Sequence, residues 1–184
     1  MPSQFLLETA PTPSEVVWAH TTLAVTGITR THQMNLTSLA ASAYIQGAKA
    51  DLSANPASEY DVEVALKWIS TPVVTAGGLV YVYFGFSGHA TAGTLNPAGL
   101  SGADGAYVGY TSDDADDAQF HLPPPYLFRA VARGATVQRI RFATPLLTQA
   151  RHVSPLVRNE TSQALFGDGV DMYVRLVPHV IESQ

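Results

Sequence analysis

Cysteine is absent from this 184-residue chain, and charge is scarce: 14% of residues are Asp, Glu, Lys or Arg, against about 25% in an average protein. The first absence removes disulfide frameworks, thiol chemistry and Cys-ligated zinc. The second means that the surface is largely Ser, Thr, Gly, Ala and Gln, or is covered by something else. Long apolar runs are missing too. The longest, Leu79 to Phe86, is far too short to cross a bilayer. The start, Met1-Pro2-Ser3-Gln4-Phe5-Leu6-Leu7-Glu8, lacks the basic and extended apolar parts of a signal peptide. The expectation is a protein made in the cytoplasm and independent of membranes. A net charge of −5 argues against nucleic acid, whose binding needs concentrated Lys and Arg.

What is present is apolar: 46% of residues are hydrophobic, enough to exclude disorder. A chain of this size buries roughly 70% of its unfolded surface, so one domain is the default. Residues 1–125 carry three basic and eleven acidic residues and 126–184 carry seven and four. Either this asymmetry vanishes as strands from both halves mix, or opposite-sign surfaces meet between copies.

Period-two alternation dominates. In Tyr60-Asp61-Val62-Glu63-Val64-Ala65-Leu66-Lys67-Trp68 the apolar side chains fall on even positions, as in a half-buried strand. Leu79-Val80-Tyr81-Val82-Tyr83-Phe84-Gly85-Phe86 is apolar on both faces and reads as a central strand. The turn Thr75-Ala76-Gly77-Gly78 predicts that these two pair as a hairpin. Tyr126 to Val131 is a third strand. Thr136 to Phe142 is a fourth, with Ile140 and Phe142 inward and Arg139 and Arg141 outward. Val170 to Leu176 is the last. Leu36, Leu39, Ala40, Ala43 and Tyr44 have a spacing compatible with a short helix, and Gly47 to Leu52 would serve as a strand. The pattern predicts an all-β, antiparallel sandwich or barrel, with an N-terminal arm and first strand in residues 1–30 and a single domain in 31–184. One long Gly- and Asp-rich loop, Gly88 to Pro125, has the length of a functional or interface segment.

Motifs for chemistry are thin. Asp113, Asp114, Asp116 and Asp117 offer hard oxygen ligands for Ca²⁺, but windows starting at Asp113 and Asp114 lack the Gly and terminal Glu of an EF-hand, so a solvated acidic loop is the better reading. Six scattered His residues have no zinc-hydrolase spacing. No nucleophile elbow, phosphate loop or dinucleotide fingerprint occurs. No catalytic residue and no cofactor is expected. Trp68 is in phase with the core. Tyr81 and Tyr83 on one face, with Tyr107 and Tyr110, would be the stacking platform of a carbohydrate-binding module. Asn35-Leu36-Thr37 and Asn159-Glu160-Thr161 match a glycosylation pattern without the export that would make it relevant.

The strand Tyr60 to Lys67, the turn Thr75 to Gly78, the segment Ser87-Gly88-His89-Ala90-Thr91-Ala92-Gly93-Thr94-Leu95-Asn96-Pro97-Ala98-Gly99-Leu100-Ser101-Gly102-Ala103-Asp104 and the stretch Arg158-Asn159-Glu160-Thr161-Ser162-Gln163-Ala164-Leu165 together resemble small virion structural proteins of tailed bacteriophages. The similarity runs over residues 35–178. It implies a jelly-roll-like sandwich in an assembled particle. The implied role is that of a capsid decoration (cement) protein, a homotrimer on the major capsid protein, with a collar, head-fibre-base or tail position as the alternative. A carbohydrate-binding host-recognition module is the rival of another class, and a jelly-roll metalloenzyme a further one. Contact residues expected from the sequence are Phe5, Leu6, Leu7, Val16, Val17 and Trp18 in the apolar arm, since buried Phe and Trp supply much contact energy, and the outward Arg139 and Arg141.

Overall fold

A computed structural model describes residues 15–53, 56–69, 78–107, 125–130 and 136–179. The described residues form two facing β-sheets. The first sheet contains β1 (Val16–Ala19), β2 (His32–Gln33), β5 (Glu59–Leu66), β9 (Gln138–Arg141), β10 (Leu146–Leu147) and β12 (Tyr173–Pro178). Its order is β10-β5-β12-β1-β2, with β9 on the same edge of β5 as β10. The second sheet contains β3 (Ala43–Gln46), β4 (Ala50–Asp51), β6 (Leu79–Ser87), β7 (Gly105–Ala106), β8 (Tyr126–Arg129) and β11 (His152–Glu160). Its order is β7-β3-β11-β6-β8, and β4 extends the β3 side of β11. Only β1 and β2 run parallel. The all-β sandwich expected from alternation is therefore what forms.

The alternating pattern places the core. Tyr60, Val62, Val64 and Leu66 of β5 face Val80, Val82 and Phe84 of β6 across the interior, joined by Val153 and Val157 of β11 and Val174 and Leu176 of β12. Trp68 continues the β5 phase at 2% exposure, and its indole N–H donates to Thr161 Oγ1 at 3.0 Å. The expected inward Ile140 and Phe142 pack on this core.

Two expectations are overturned, and a third difference is a strand that was not expected. β5 and β6 are not a hairpin. β5 pairs with β12, β9 and β10, whereas β6 pairs with β11 and β8, so the connection between them crosses from one sheet to the other. The helical spacing after Asn35 marks turns and then β3, because Ser38 and Ser42 sit at φ 54° and 58°, a left-handed conformation that no right-handed helix contains. The third concerns β11. Its nine residues, absent from the sequence reading, are the centre of the second sheet, with Pro155 in their middle. The missing N–H is harmless there because the flank it faces is interrupted between β3 and β4. Across that break the Gly47 N–H donates to the Pro155 carbonyl at 2.9 Å, and a residue's N–H and C=O share one side of an antiparallel strand. Gly47 is obligatory: a Cβ there would stand 2.8 Å from Pro155 Cγ and 2.9 Å from Trp18 Cδ1.

Candidate interaction surface

Phe5, Leu6 and Leu7 lie outside the described residues, as do Asp113, Asp114, Asp116 and Asp117 and Tyr110. Val16, Val17 and Trp18 are not contact residues of an arm. They form β1, with exposures of 4%, 0% and 0%, and pair residue for residue with Leu176, Arg175 and Val174 of β12. Val16 and Trp18 enter the core between the sheets. Val17 points the other way, into a patch with Ala19, Ala65 and Tyr173 that is covered by Leu23, Val25 and Ile28. The Trp18 indole N–H donates to the Ala48 carbonyl at 2.7 Å, which satisfies the one polar atom of a fully buried ring. Arg139 and Arg141 are exposed on the edge strand β9, where charged side chains guard against edge-to-edge pairing. Arg141 bonds Asp61 on the neighbouring strand.

Part of the charge asymmetry is paired within the chain. Glu15 pairs with Arg175 at 2.5 Å, Asp51 with Arg151 at 2.6 Å, and Lys67 with Asp168 at 3.2 Å. Each bridge joins a residue of the first part to one of the last, so strands of the two parts mix; Glu8 and the four loop aspartates lie outside the described residues.

The tyrosine platform does not stand open. Tyr83 is 1% exposed, packed with Leu156 under Ala98 and Leu100, and the Tyr107 hydroxyl donates to the Ala98 carbonyl at 2.5 Å. Tyr44 and Tyr81 instead flank the Arg158 guanidinium, 4.9 Å and 5.7 Å from their ring centres; Arg158 also pairs with Glu160 at 2.5 Å.

The described part of the long loop is pinned down from below. The Lys49 ammonium lies 2.8 to 3.2 Å from Ser87 Oγ and the carbonyls of His89, Thr91 and Thr94. Burial lowers its pKa from the ordinary lysine value. Asn96 Nδ2 donates to the carbonyls of Ala92 and Leu100 at 2.5 and 2.8 Å. The described part, residues 88–107, is a cover for the second sheet.

Asp51 Oδ2 stands 3.8 Å from His152 Nε2, and Ser154 shares the outer face of β11 with His152. Yet Ser154 Oγ and His152 Nδ1 are both buried without a hydrogen-bond partner, so the nucleophile-to-base contact that such chemistry needs is not made. Among the described residues no three His, Asp or Glu side chains gather as metal ligands, and no helix is long and apolar enough to cross a membrane.

A groove of about 420 Å³ opens at the side of the sandwich where β8 ends one sheet and β9 and β10 end the other. Its floor is aromatic: Tyr126 meets Phe142 edge-on at 5.0 Å and Phe84 at 5.8 Å, and burial pushes the Tyr126 hydroxyl up to about 12. Leu146 faces inward at 6% exposure, while Leu127 and Leu147 stand 49% and 60% exposed on its rim. Side chains this apolar are normally withdrawn from water when several adjoin. Sequence reasoning passed over these residues. The available signal was Leu146-Leu147 directly after Pro145, a pair that breaks alternation beside an edge-strand proline. No family model, curated protein or solved structure matches the chain.

Proposed function

We propose that this protein is a structural virion subunit of a tailed bacteriophage: a capsid decoration (cement) protein that seats on the outer face of the major capsid protein lattice, works by contact rather than catalysis, and assembles as a homotrimer. The observation that carries the reading is the groove between β8 and β10, whose rim leucines leave an apolar face open to a partner. Repetition on a shell multiplies modest contacts of this kind.

The strand orders support the jelly-roll form of the sandwich. With β4 taken as the continuation of β3, β10 as that of β9, and the two-residue β2 and β7 set aside as additions at the sheet ends, the other eight strands fall into two four-stranded orders, β9-β5-β12-β1 and β3-β11-β6-β8. Numbered one to eight along the chain, these are 6-3-8-1 and 2-7-4-5, the interleaving of two Greek keys. The phrases that carry the resemblance also have structural work here. Ser87 to Asp104 is the pinned cover, and buried Asn159 and Thr161 form a network in which Asn159 Nδ2 lies 2.8 to 3.1 Å from the Leu39, Ala40 and Gln163 carbonyls.

A gold-labelled antibody against the protein on purified virions tests the location, with label over the head as the expected result. Adding the Leu127→Asp/Leu147→Asp variant to particles lacking the protein tests the surface. It should leave capsid sites empty, and full occupancy would overturn the reading. Tyr44 and Tyr81 around Arg158 favour one second reading, a glycan-binding face; binding on a glycan array that Tyr81→Ala abolishes would establish it instead.

A further inference from the structure

We propose that Leu95 of one copy seats in the β8–β10 groove of the next, so that subunits join head to tail in a closed ring of three. The inference rests on the reading of that groove as a docking surface and of the protein as a homotrimer. It names the occupant: a neighbouring copy completes each groove, and the assembled ring is what seats on the lattice.

Three large hydrophobic side chains stand exposed among the described residues. Leu127 and Leu147 are on the rim of the groove, and the third, Leu95, projects from the cover at 75% exposure. Its backbone is at φ 52°, a left-handed conformation that glycine or asparagine adopts far more readily than leucine. The other described non-glycine residues at positive φ are Ser38, Ser42, Ser53 and Ala98, and Ala98 is buried in a cluster with Tyr83. Leu95 alone is large and gains little packing from its own chain. Its position is nevertheless held from both sides. The Thr94 carbonyl accepts from the Lys49 ammonium at 3.0 Å, and Asn96 Nδ2 donates to the Ala92 and Leu100 carbonyls. A side chain displayed on so fixed a support loses little freedom on binding.

Leu95 does not reach the groove of its own chain. Ser87, whose hydroxyl lies 3.3 Å from the Thr94 carbonyl, ends β6, whereas Tyr126 on the groove floor stands opposite Val82. Five residues along β6 at about 3.3 Å each and one strand across at about 4.8 Å separate them by roughly 17 Å. Knob and groove therefore lie on different parts of each subunit. A contact between them is heterologous, and every knob and groove is satisfied only when the ring closes. The charges agree with this pairing. Residues 88–107 hold one acidic residue, Asp104, and no Lys or Arg, whereas residues 125–149 hold four Arg and no acid, with Arg139 and Arg141 exposed beside the groove.

The absence of native cysteine makes a direct test available. Full-length Leu95→Cys protein carrying a size tag is mixed with untagged Gln149→Cys or Thr144→Cys protein, both positions lining the groove. A second mixture uses Thr21→Cys, exposed on the turn after β1. A disulfide forms only where the two Cα atoms come within about 7 Å. After mild oxidation a non-reducing gel should therefore show the mixed dimer for a groove position at least about tenfold above the Thr21 mixture. The double variant Leu95→Cys/Gln149→Cys should give a ladder that stops at three subunits. Equal yields for groove and control positions, or an internally cross-linked monomer, would overturn the proposal. Light scattering supplies a second readout. Leu95→Gly, which relieves the backbone, should reduce the mass from three subunits to one, and should unfold at or above the midpoint of the equally monomeric Leu127→Asp/Leu147→Asp variant. A Leu95→Gly chain that stays trimeric would overturn the contact. Native trimers without these cross-links would overturn it while sparing the homotrimer, and a native monomer would overturn both. Cross-linking together with intact particle attachment of the Leu127→Asp/Leu147→Asp variant would support the contact and remove the groove from the capsid-binding role.

Discussion

Where the first described strand begins decides how any truncation should be interpreted, and the structure puts that start at Val16 rather than after Trp18. Removing residues 1–14 takes away only chain that precedes the first strand. Removing residues 1–18 deletes Val16, Val17 and Trp18, all essentially inaccessible. Burial of each valine is worth about 1.5–3 kcal/mol, removal of a core Trp about 3–5 kcal/mol, and the Trp18 to Ala48 hydrogen bond about 1 kcal/mol. The combined loss, on the order of 7–12 kcal/mol, equals the whole net stability of an ordinary domain, about 5–15 kcal/mol. β2 would lose its strand partner as well. Urea unfolding followed by far-UV circular dichroism should therefore show the 15–184 chain unfolding cooperatively within about 2 kcal/mol of full length, and the 19–184 chain without a cooperative transition. If the 19–184 chain unfolds cooperatively with a similar midpoint and slope, β1 is not part of the core and the assignment of these three residues is wrong. Loss of particle attachment in the shorter chain would carry no information about the arm. Loss in the longer one would.

Three further perturbations test other parts of the structure. Gly47→Ala forces a methyl group against the Pro155 ring and the Trp18 indole; overpacking of this kind costs about 1–3 kcal/mol, or roughly 3–10 °C in melting temperature for a chain of this size, and an unchanged Tm would contradict the close approach. Lys49→Met keeps the stem and removes the ammonium that gathers Ser87, His89, Thr91 and Thr94. Amide exchange across residues 87–96 should rise at least about tenfold, equivalent to about 1.4 kcal/mol of local stability, and unchanged protection would show that the loop is held by something else. The Arg151 guanidinium bonded to Asp51 holds its carboxyl down at about 2. A carboxylate depressed in the folded state contributes stability that is present above its unfolded value near 4 and is lost as pH falls toward 2. The stability difference between the native chain and Asp51→Asn should therefore shrink over that interval, and a difference flat from pH 5 to pH 2 would refute the pairing.

The strands that could be read from the sequence are those with one wet face. β5 alternates because Asp61 and Glu63 look outward toward Arg141 and Arg175 while Val62 and Val64 look inward. β6 was recognisable as central from its apolar residues on both faces. Its partner was not, because a Gly-Gly turn signal describes a local bend and carries no information about which sheet the next strand joins; consecutive strands neighbour one another only about two-thirds of the time. β11 was hidden by Pro155, whose tolerance depends on the break between β3 and β4 some 110 positions earlier in the chain. A rule about proline in strands cannot anticipate a gap that the partner strand provides. The helical spacing at Leu36 to Tyr44 failed for a related reason: Leu36 and Leu39 are both buried, but by successive turns that Ser38 and Ser42 make possible.

The candidate surface was least legible because its parts are separated in sequence and unremarkable one by one. Tyr126 and Leu127 end one sheet, Leu146 and Leu147 end the other, and Phe142 turns the chain between β9 and β10. The groove exists only once both edges stand side by side. The features that attracted attention in the sequence have other duties: Val16 to Trp18 are core, Tyr83 is covered, the described part of the long loop is tied to the second sheet by Lys49, and the acidic and basic parts of the chain share bridges such as Glu15 to Arg175. That redistribution bears on the scarcity of charge. Several charged groups from both halves are spent on internal pairs, and a partner meeting the β8–β10 groove would meet leucine and aromatic carbon with the exposed Arg139 and Arg141 of β9 at its side. Contact there is driven by withdrawal of apolar surface from water, which is nearly indifferent to charge pattern and is strongest where a neighbour of matching shape completes the edge. Such an edge is suited to a subunit whose surface is finished by what it binds.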